Sequence, residues 1–185
     1  MKRMMLRVIV LLLLAGCAGN DVQQYAGLQP KLDLFAYFDG STRGYGIVQD
    51  RGGRLKRQFV VDITGTINSA GNLILDEQFV WNDGEKTSRI WTISRQEGTS
   101  RLVGEAPDVI GRATGVTAGN ALNWQYQLAL VVDGSTWNLN FDDWMFLQPD
   151  HVLLNRATMS KFGLRVGEVT IAFMKDQSIL KEVQP

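Results

Sequence analysis

The chain has 185 residues, with 19 Lys and Arg against 19 Asp and Glu, one histidine and one cysteine. That balance lacks the basic footprint of a nucleic-acid binder, and a single histidine with a single cysteine argues against a zinc site or an internal disulfide. With 45% hydrophobic residues, the chain is long enough for one domain with a substantial core.

The first segment is an address. Lys2, Arg3 and Arg7 make a positive start, Val8 to Leu14 is an unbroken apolar run, and Leu14-Ala15-Gly16-Cys17 fits a bacterial lipobox. The apolar run is shorter than the roughly 20 residues a membrane span needs, and small residues precede the cut, as in a secretory signal. Residues 1–16 therefore read as a lipoprotein signal peptide and Cys17 as the lipidated first residue of the mature chain. The alternative is a plain secretory signal or an anchor helix with an incidental cysteine. Several acyl chains on Cys17 hold a protein to a membrane, because each buried methylene contributes about 0.8 kcal/mol. Ala18, in place of an aspartate, favours the periplasmic face of the outer membrane in a Gram-negative host. Loss of Lys2, Arg3 and Arg7 leaves the mature chain mildly acidic.

Residues 17–32 read as a polar, lipidated tether. From Asp33 the pattern is β. Phe59, Val61 and Ile63 alternate with Val60 and Asp62; Leu73, Leu75, Glu77, Phe79 and Trp81 share one face; Leu122, Trp124, Tyr126, Leu128 and Leu130 share another. Period two with one apolar face denotes half-buried strands. Asp50-Arg51-Gly52-Gly53, Asn82-Asp83-Gly84, Ala118-Gly119-Asn120 and Asp133-Gly134 supply hairpin turns between them.

The reading places strands near 35–48, 55–68, 73–82, 86–95, 100–105, 109–117, 121–133, 136–147, 151–159 and 164–174. It expects no helix beyond a turn in the tether and a frayed tail. About ten antiparallel strands with short turns form a meander, which closes into an up-and-down, lipocalin-like β-barrel because closure removes the edges. A two-sheet sandwich is the second architecture. The barrel domain is expected over 33–176, with a C-terminal tail over 177–185.

Such a barrel has an interior that holds one apolar ligand or is filled by side chains. Phe59, Phe79, Trp81, Trp91, Trp124, Tyr126, Trp137 and Phe141 are the expected lining. Glu77 falls on an apolar face, where a carboxylate is costly unless paired, and Arg89 lies opposite it across a hairpin. The pair reads either as an ion pair ordering one end of the barrel or as a head-group site with Arg89 as anion binder. Asp142 and Asp143 are adjacent, so one faces inward and one outward. Asn155 and Arg156 on the next strand are placed to reach them. Paired carboxylates suit acid/base work or a hard metal, but no nucleophile or ligand motif accompanies them. No cofactor motif is present: the glycine-rich stretch Gly104–Gly115 lacks a phosphate-loop lysine, and its small residues suit a crowded, bent strand. His151 lies in an exposed turn, and Arg51–Arg57 is a solvated basic turn or a contact for anionic lipid head groups.

Several runs carry a family likeness: Gly44-Tyr45-Gly46-Ile47-Val48-Gln49-Asp50-Arg51-Gly52-Gly53, Leu75-Asp76-Glu77-Gln78-Phe79, Arg89-Ile90-Trp91, Asp108-Val109-Ile110-Gly111, Gly119-Asn120-Ala121-Leu122-Asn123-Trp124, Asp142-Asp143-Trp144-Met145 and Asn155-Arg156-Ala157-Thr158-Met159. Together they resemble the proteobacterial lipoproteins classed as domain of unknown function 3833, over nearly all of the mature chain. The resemblance implies a lipocalin-like fold and assigns no activity. It also implies a link to membrane-lipid modification or a stress response, since members are often encoded beside enzymes resembling cyclopropane-fatty-acid synthases.

Three functions follow as expectations. The first is a membrane-anchored carrier of a fatty acyl or other apolar ligand, with Glu77, Arg89, Trp91, Trp124, Tyr126, Asp142, Asp143 and Asn155 as candidate contacts and Trp91, Trp124 and Trp144 as reporters. The second is a structural or assembly lipoprotein with a filled barrel. The third is an acyl-modifying enzyme using Glu77, Asp142 or Asp143.

Overall fold

The computed structural model describes residues 21–132 and 134–175, the side chain of Val132 excepted. The signal over 1–16, Cys17 and the tail over 177–185 lie outside the described residues. Ten strands follow one another: β1 (Gly40–Asp50), β2 (Leu55–Ile67), β3 (Leu73–Trp81), β4 (Lys86–Arg95), β5 (Arg101–Glu105), β6 (Ala113–Ala118), β7 (Ala121–Val132), β8 (Ser135–Leu147), β9 (Val152–Lys161) and β10 (Leu164–Lys175). Each pairs antiparallel with its sequence neighbour, and β1 pairs with β10 to close the barrel. Closure satisfies the backbone groups of both terminal strands. The expected meander is the fold.

Alternation sets what faces inward. Phe59, Val61 and Ile63 of β2 are buried while Asp62 and Thr64 are exposed. On β1 two of the inward positions, between Thr42 and Val48, are glycines. A methyl at Gly46 would meet the Phe59 ring at 2.1 Å, and one at Gly44 would meet Val61 and Phe173 at 2.7 and 2.8 Å. The bare backbone at these positions lets rings from facing strands lie against it.

Three segments depart from expectation. Residues 35–39 are not strand: Leu34–Phe38 forms a short helix, α1, with Asp33 as N-cap accepting from the Phe35 and Ala36 amides at 2.9 and 3.2 Å. A continuous apolar run has no clear period, so the alternation does not separate strand from helix there. Leu34, Phe35, Tyr37 and Phe38 are all buried and join the main core cluster. Phe38 packs edge-on against Phe173, and the Phe38 carbonyl sits where a Gly65 Cβ would stand, 1.8 Å away. The helix plugs the end of the barrel at which β2 leaves and β3 begins, here called the lower end.

The second departure is the tether. Val22–Tyr25 is a 3-10 turn with Val22 buried against Ala118 and Ala121. Tyr25 packs on Trp144 and Phe146, with centroids 5.9 and 5.1 Å away, and the Leu32 amide donates to the Gly119 carbonyl at 2.8 Å. Residues 21–32 are therefore fastened to the lower end rather than forming a free spacer. Trp144, turned outward by the strand period next to Asp143, meets Tyr25 there and is not an interior reporter. β6 also begins later than expected. Residues 106–112 form a loop, tied to β7 by a single bridge between Val109 and Leu128.

Candidate ligand-binding site

The β3–β4 hairpin turns at Asn82–Glu85, where Gly84 takes φ +87°, a conformation that glycine adopts without steric cost. That turn sets Glu77 opposite Arg89 on the inner face. The expected pairing is present but loose: Arg89 Nη1 stands 3.9 Å from Glu77 Oε2. The close partner of Arg89 is Asp108, reached by Nε at 3.0 Å and by Nη2 at 2.7 Å. Asp108 comes from the β5–β6 loop, which is pinned by its own carbonyl accepting from the Ala129 amide at 3.0 Å and by the Ile110 amide donating to Gln127 at 2.8 Å. A forked guanidinium–carboxylate pair of this kind is strong and directional. Arg89 is thus already engaged, and its expected role as a free anion binder is not supported by the geometry. The 19-residue separation hid Asp108 from sequence reasoning; its one clue was a carboxylate inside a glycine-rich segment without a phosphate-loop lysine.

Across the barrel, Asp143 of β8 points inward. Its Oδ2 accepts from the Tyr126 hydroxyl on β7 and from Asn155 Nδ2 on β9, both at 3.3 Å. Asp142 points outward, where Asn123 Nδ2 donates at 2.6 Å and Gln125 Nε2 at 3.3 Å. The division of the two aspartates follows from the strand period. Asp142, expected as a contact, therefore does not face the interior. Arg156 does not reach either aspartate: it faces outward and pairs with Glu168 at 2.7 Å, as Arg165 does at 2.9 Å.

Aromatic rings surround the site, with Tyr126 and Phe141 one register step nearer the upper end than Trp124 and Asp143. Trp91 packs edge-on against Trp124 and Tyr126, and Tyr126 stacks on Phe141 at 5.1 Å. Room for Trp124 comes from Gly104 and Gly115, where a Cβ would meet the indole at 2.5 and 2.3 Å. Of the glycines expected to relieve crowding in this stretch, Gly115 does so, while Gly111 lies in the loop before β6 with open space where a Cβ would stand. Above, Phe59, Phe79 and Trp81 cluster at the opposite, upper rim. There Arg57 covers Trp81 at 4.0 Å while held by Asp83 and Glu85, so the basic turn is partly neutralised. Trp137 is 40% exposed, with the Lys161 ammonium 3.7 Å over its ring, and belongs to the rim rather than the lining. His151 is exposed in a 3-10 turn, and its carbonyl accepts from Tyr37.

Exposure falls inward along the polar cluster. The Asp108 side chain is 33% exposed, Arg89 21% and Glu77 12%, while Asp143 and Asn155 are buried. Burial pushes Glu77 up to about 7 against the opposing pull of Arg89. Burial likewise pushes Asp143 up to about 7, against hydrogen bonds from Asn155 and Tyr126. Desolvation, reinforced by the Asp143 carboxylate, raises the Tyr126 hydroxyl. Burial opposes the charge on Arg89, but Glu77 and Asp108 outweigh it and hold the guanidinium above its ordinary value. Three acceptors in this cluster, Glu77 Oε2, Asp143 Oδ1 and Asn155 Oδ1, are buried without a hydrogen-bond partner. Such atoms cost about 1–3 kcal/mol each, and the others among the described residues, Thr42 Oγ1, Arg57 Nε and Asn120 Oδ1, do not lie in this cluster. Among the described residues no group of three or more His, Cys, Asp or Glu is disposed to hold a metal.

Residues 11–175 match the family described as "Protein of unknown function (DUF3833)". The chain belongs to that family. None of the curated proteins matches it by sequence. Among solved structures it is similar to a protein of unknown function from the DUF3598 family of Nostoc punctiforme, with a TM-score of 0.59 and 16% identity over 86% of this chain and 53% of that one. The DUF3833 chain thus spans about half the length of that protein. It is also similar to the S-type phycobiliprotein lyase CPES of Guillardia theta, with a TM-score of 0.58 and 11% identity over 85% of this chain and 98% of that one. At these identities the likeness is one of fold, a lipocalin-like barrel.

Proposed function

We propose that this DUF3833 member is a lipid-anchored envelope protein that binds or carries an acyl chain or similar apolar molecule in the upper half of its barrel. The observation that carries the proposal is the buried cluster of Glu77, Asp143 and Asn155 with its unpartnered acceptors, set under an aromatic rim inside a closed barrel. Binding sites combine an apolar wall with a few converging polar groups, and this interior has both. The fold shared with a phycobiliprotein lyase supports ligand binding as the kind of role.

Lipidation at Cys17 fixes an orientation. Asp21 begins the segment fastened to the lower end, and the four residues from Cys17 to Asp21 span at most about 14 Å. The lower end then faces the anchoring bilayer, and the upper rim points away from it. A ligand approaches the upper rim from the aqueous space, as a carrier requires.

Native mass spectrometry with lipid extraction, on the mature chain purified from its own envelope, tests the proposal. A stoichiometric acyl or other apolar molecule is the expected result. A protein that is empty and indifferent to added amphiphiles contradicts it. That result would favour the second reading, an assembly lipoprotein acting through its surface. The second reading has its own support in the exposure of Val131, Phe162 and Leu164 near the rim, at 75, 91 and 72%.

A further inference from the structure

The charge and hydrogen-bond balance of the polar cluster bears on which head group it accepts. Its charged members are Glu77, Asp108 and Asp143 against Arg89 alone. Among the described residues, Arg89 is the one cation at ion-pairing distance from Glu77, and none stands at that distance from Asp143. The guanidinium gives its fork to Asp108. An incoming carboxylate or phosphate would therefore have to displace Asp108 from Arg89 and enter beside two further acidic groups in a region of low dielectric, where like charges repel strongly.

The neutral polar partners point the same way. The Tyr126 hydroxyl and the Asn155 amide both direct their donors to Asp143 Oδ2. What remains unpartnered is acceptors only: Glu77 Oε2, Asp143 Oδ1 and Asn155 Oδ1. Asn155 is 3% exposed and Asp143 4%, so bulk water does not solvate them. Protonation supplies at most one donor per carboxyl and none for Asn155. A group that brings its own N–H or O–H donors completes the set, and an anionic group adds further acceptors to a place already rich in them.

We propose that Glu77, Asp143 and Asn155 receive the polar end of an amphiphile that donates hydrogen bonds and carries no negative charge, an amine or an alcohol, and that they discriminate against a carboxylate head. This rests on the carrier reading above and names the ligand class for the same site. The apolar tail lies toward the rim formed by Phe59, Phe79 and Trp81. Asp108 and Arg89, the more exposed pair, are the members of the cluster nearest solvent and hold each other in place.

The test is a competition by native mass spectrometry. The mature chain, released from detergent micelles, is offered an equimolar mixture of dodecylamine, 1-dodecanol and laurate, whose common chain isolates the head group. The amine or the alcohol is expected to be bound at least tenfold over laurate. In the E77Q and D143N variants, which keep the side-chain shape, that preference is expected to fall at least fivefold, with circular dichroism confirming the barrel. Laurate bound equally or better by the wild type overturns the head-group inference and leaves the carrier reading intact. Failure of all three to bind overturns both.

Discussion

At its lower end the barrel buries Leu73, Leu122 and Leu153 with no exposed surface and is plugged by α1, while its upper half buries Glu77 and Asp143 with acceptors left over. A fully buried leucine stabilises by about 1.5–3 kcal/mol. An unpartnered buried acceptor costs about 1–3 kcal/mol. Unpartnered polar atoms occur singly at the lower end, at Thr42 and Asn120, but gather at Glu77, Asp143 and Asn155, and the apolar cluster of Leu128, Leu139, Phe141 and Met159 packs nearer the upper end. The difference separates scaffold from site without any appeal to activity.

The largest effect belongs to the plug. Phe38→Ala removes a ring seated against Phe173 and Tyr37, and urea unfolding is expected to show a loss of about 3–5 kcal/mol with head-group selectivity unchanged. A loss under about 1 kcal/mol would mean that α1 is not the keystone of the lower end.

The next effect is pH dependence in the upper half. Glu77 and Asp143 are raised to about 7 in the fold, so the folded state holds their protons more tightly than the unfolded chain. They impose no penalty below the ordinary carboxylate range. The penalty grows as pH rises toward 7 and is complete above it. For Glu77 it is on the order of 3 kcal/mol. The stability difference between E77Q and wild type, followed from pH 4 to 8, is expected to increase with pH in favour of the variant. A difference that stays flat would place Glu77 in a solvated setting.

Gly104→Ala pushes a methyl into the Trp124 indole and is expected to cost about 1–3 kcal/mol, with a change in tryptophan emission because Trp124 must shift. At the rim, Phe162→Ser is expected to alter thermal stability by no more than about 0.5 kcal/mol, since Phe162 is 91% exposed. A large loss there would show that the rim contributes to the fold.

The alternation of apolar residues made the barrel legible, because period two is a local property and the turns Asn82–Glu85 and Ala118–Ala121 carry their own chemistry. The same periodicity set Glu77 against Arg89 and divided Asp142 from Asp143. It failed at Leu34–Phe38, where five apolar or small residues in a row fit a strand or a helix and the capping role of Asp33 decided the matter. It failed for Val22 and Leu32, whose neighbours are polar but whose own side chains find the lower end of the barrel. Asp108 was out of reach for a different reason. Its bond to Arg89 depends on how a loop between two short strands folds back over β7, and no local pattern encodes that path. Arg156 does not meet the aspartates because the strand period turns it to the outer face, where its partner is Glu168 on β10.

The most direct test of the division between scaffold and site is chemical-shift mapping of the labelled mature chain as dodecylamine is added. The account predicts that the indole N–H of Trp91 and the amides of Glu77, Tyr126, Asp143 and Asn155 move together and saturably, while Leu34–Phe38 and the indole of Trp144 stay in place. Shifts confined to the lower end, or to Phe162 and Leu164 at the outer rim, would contradict it.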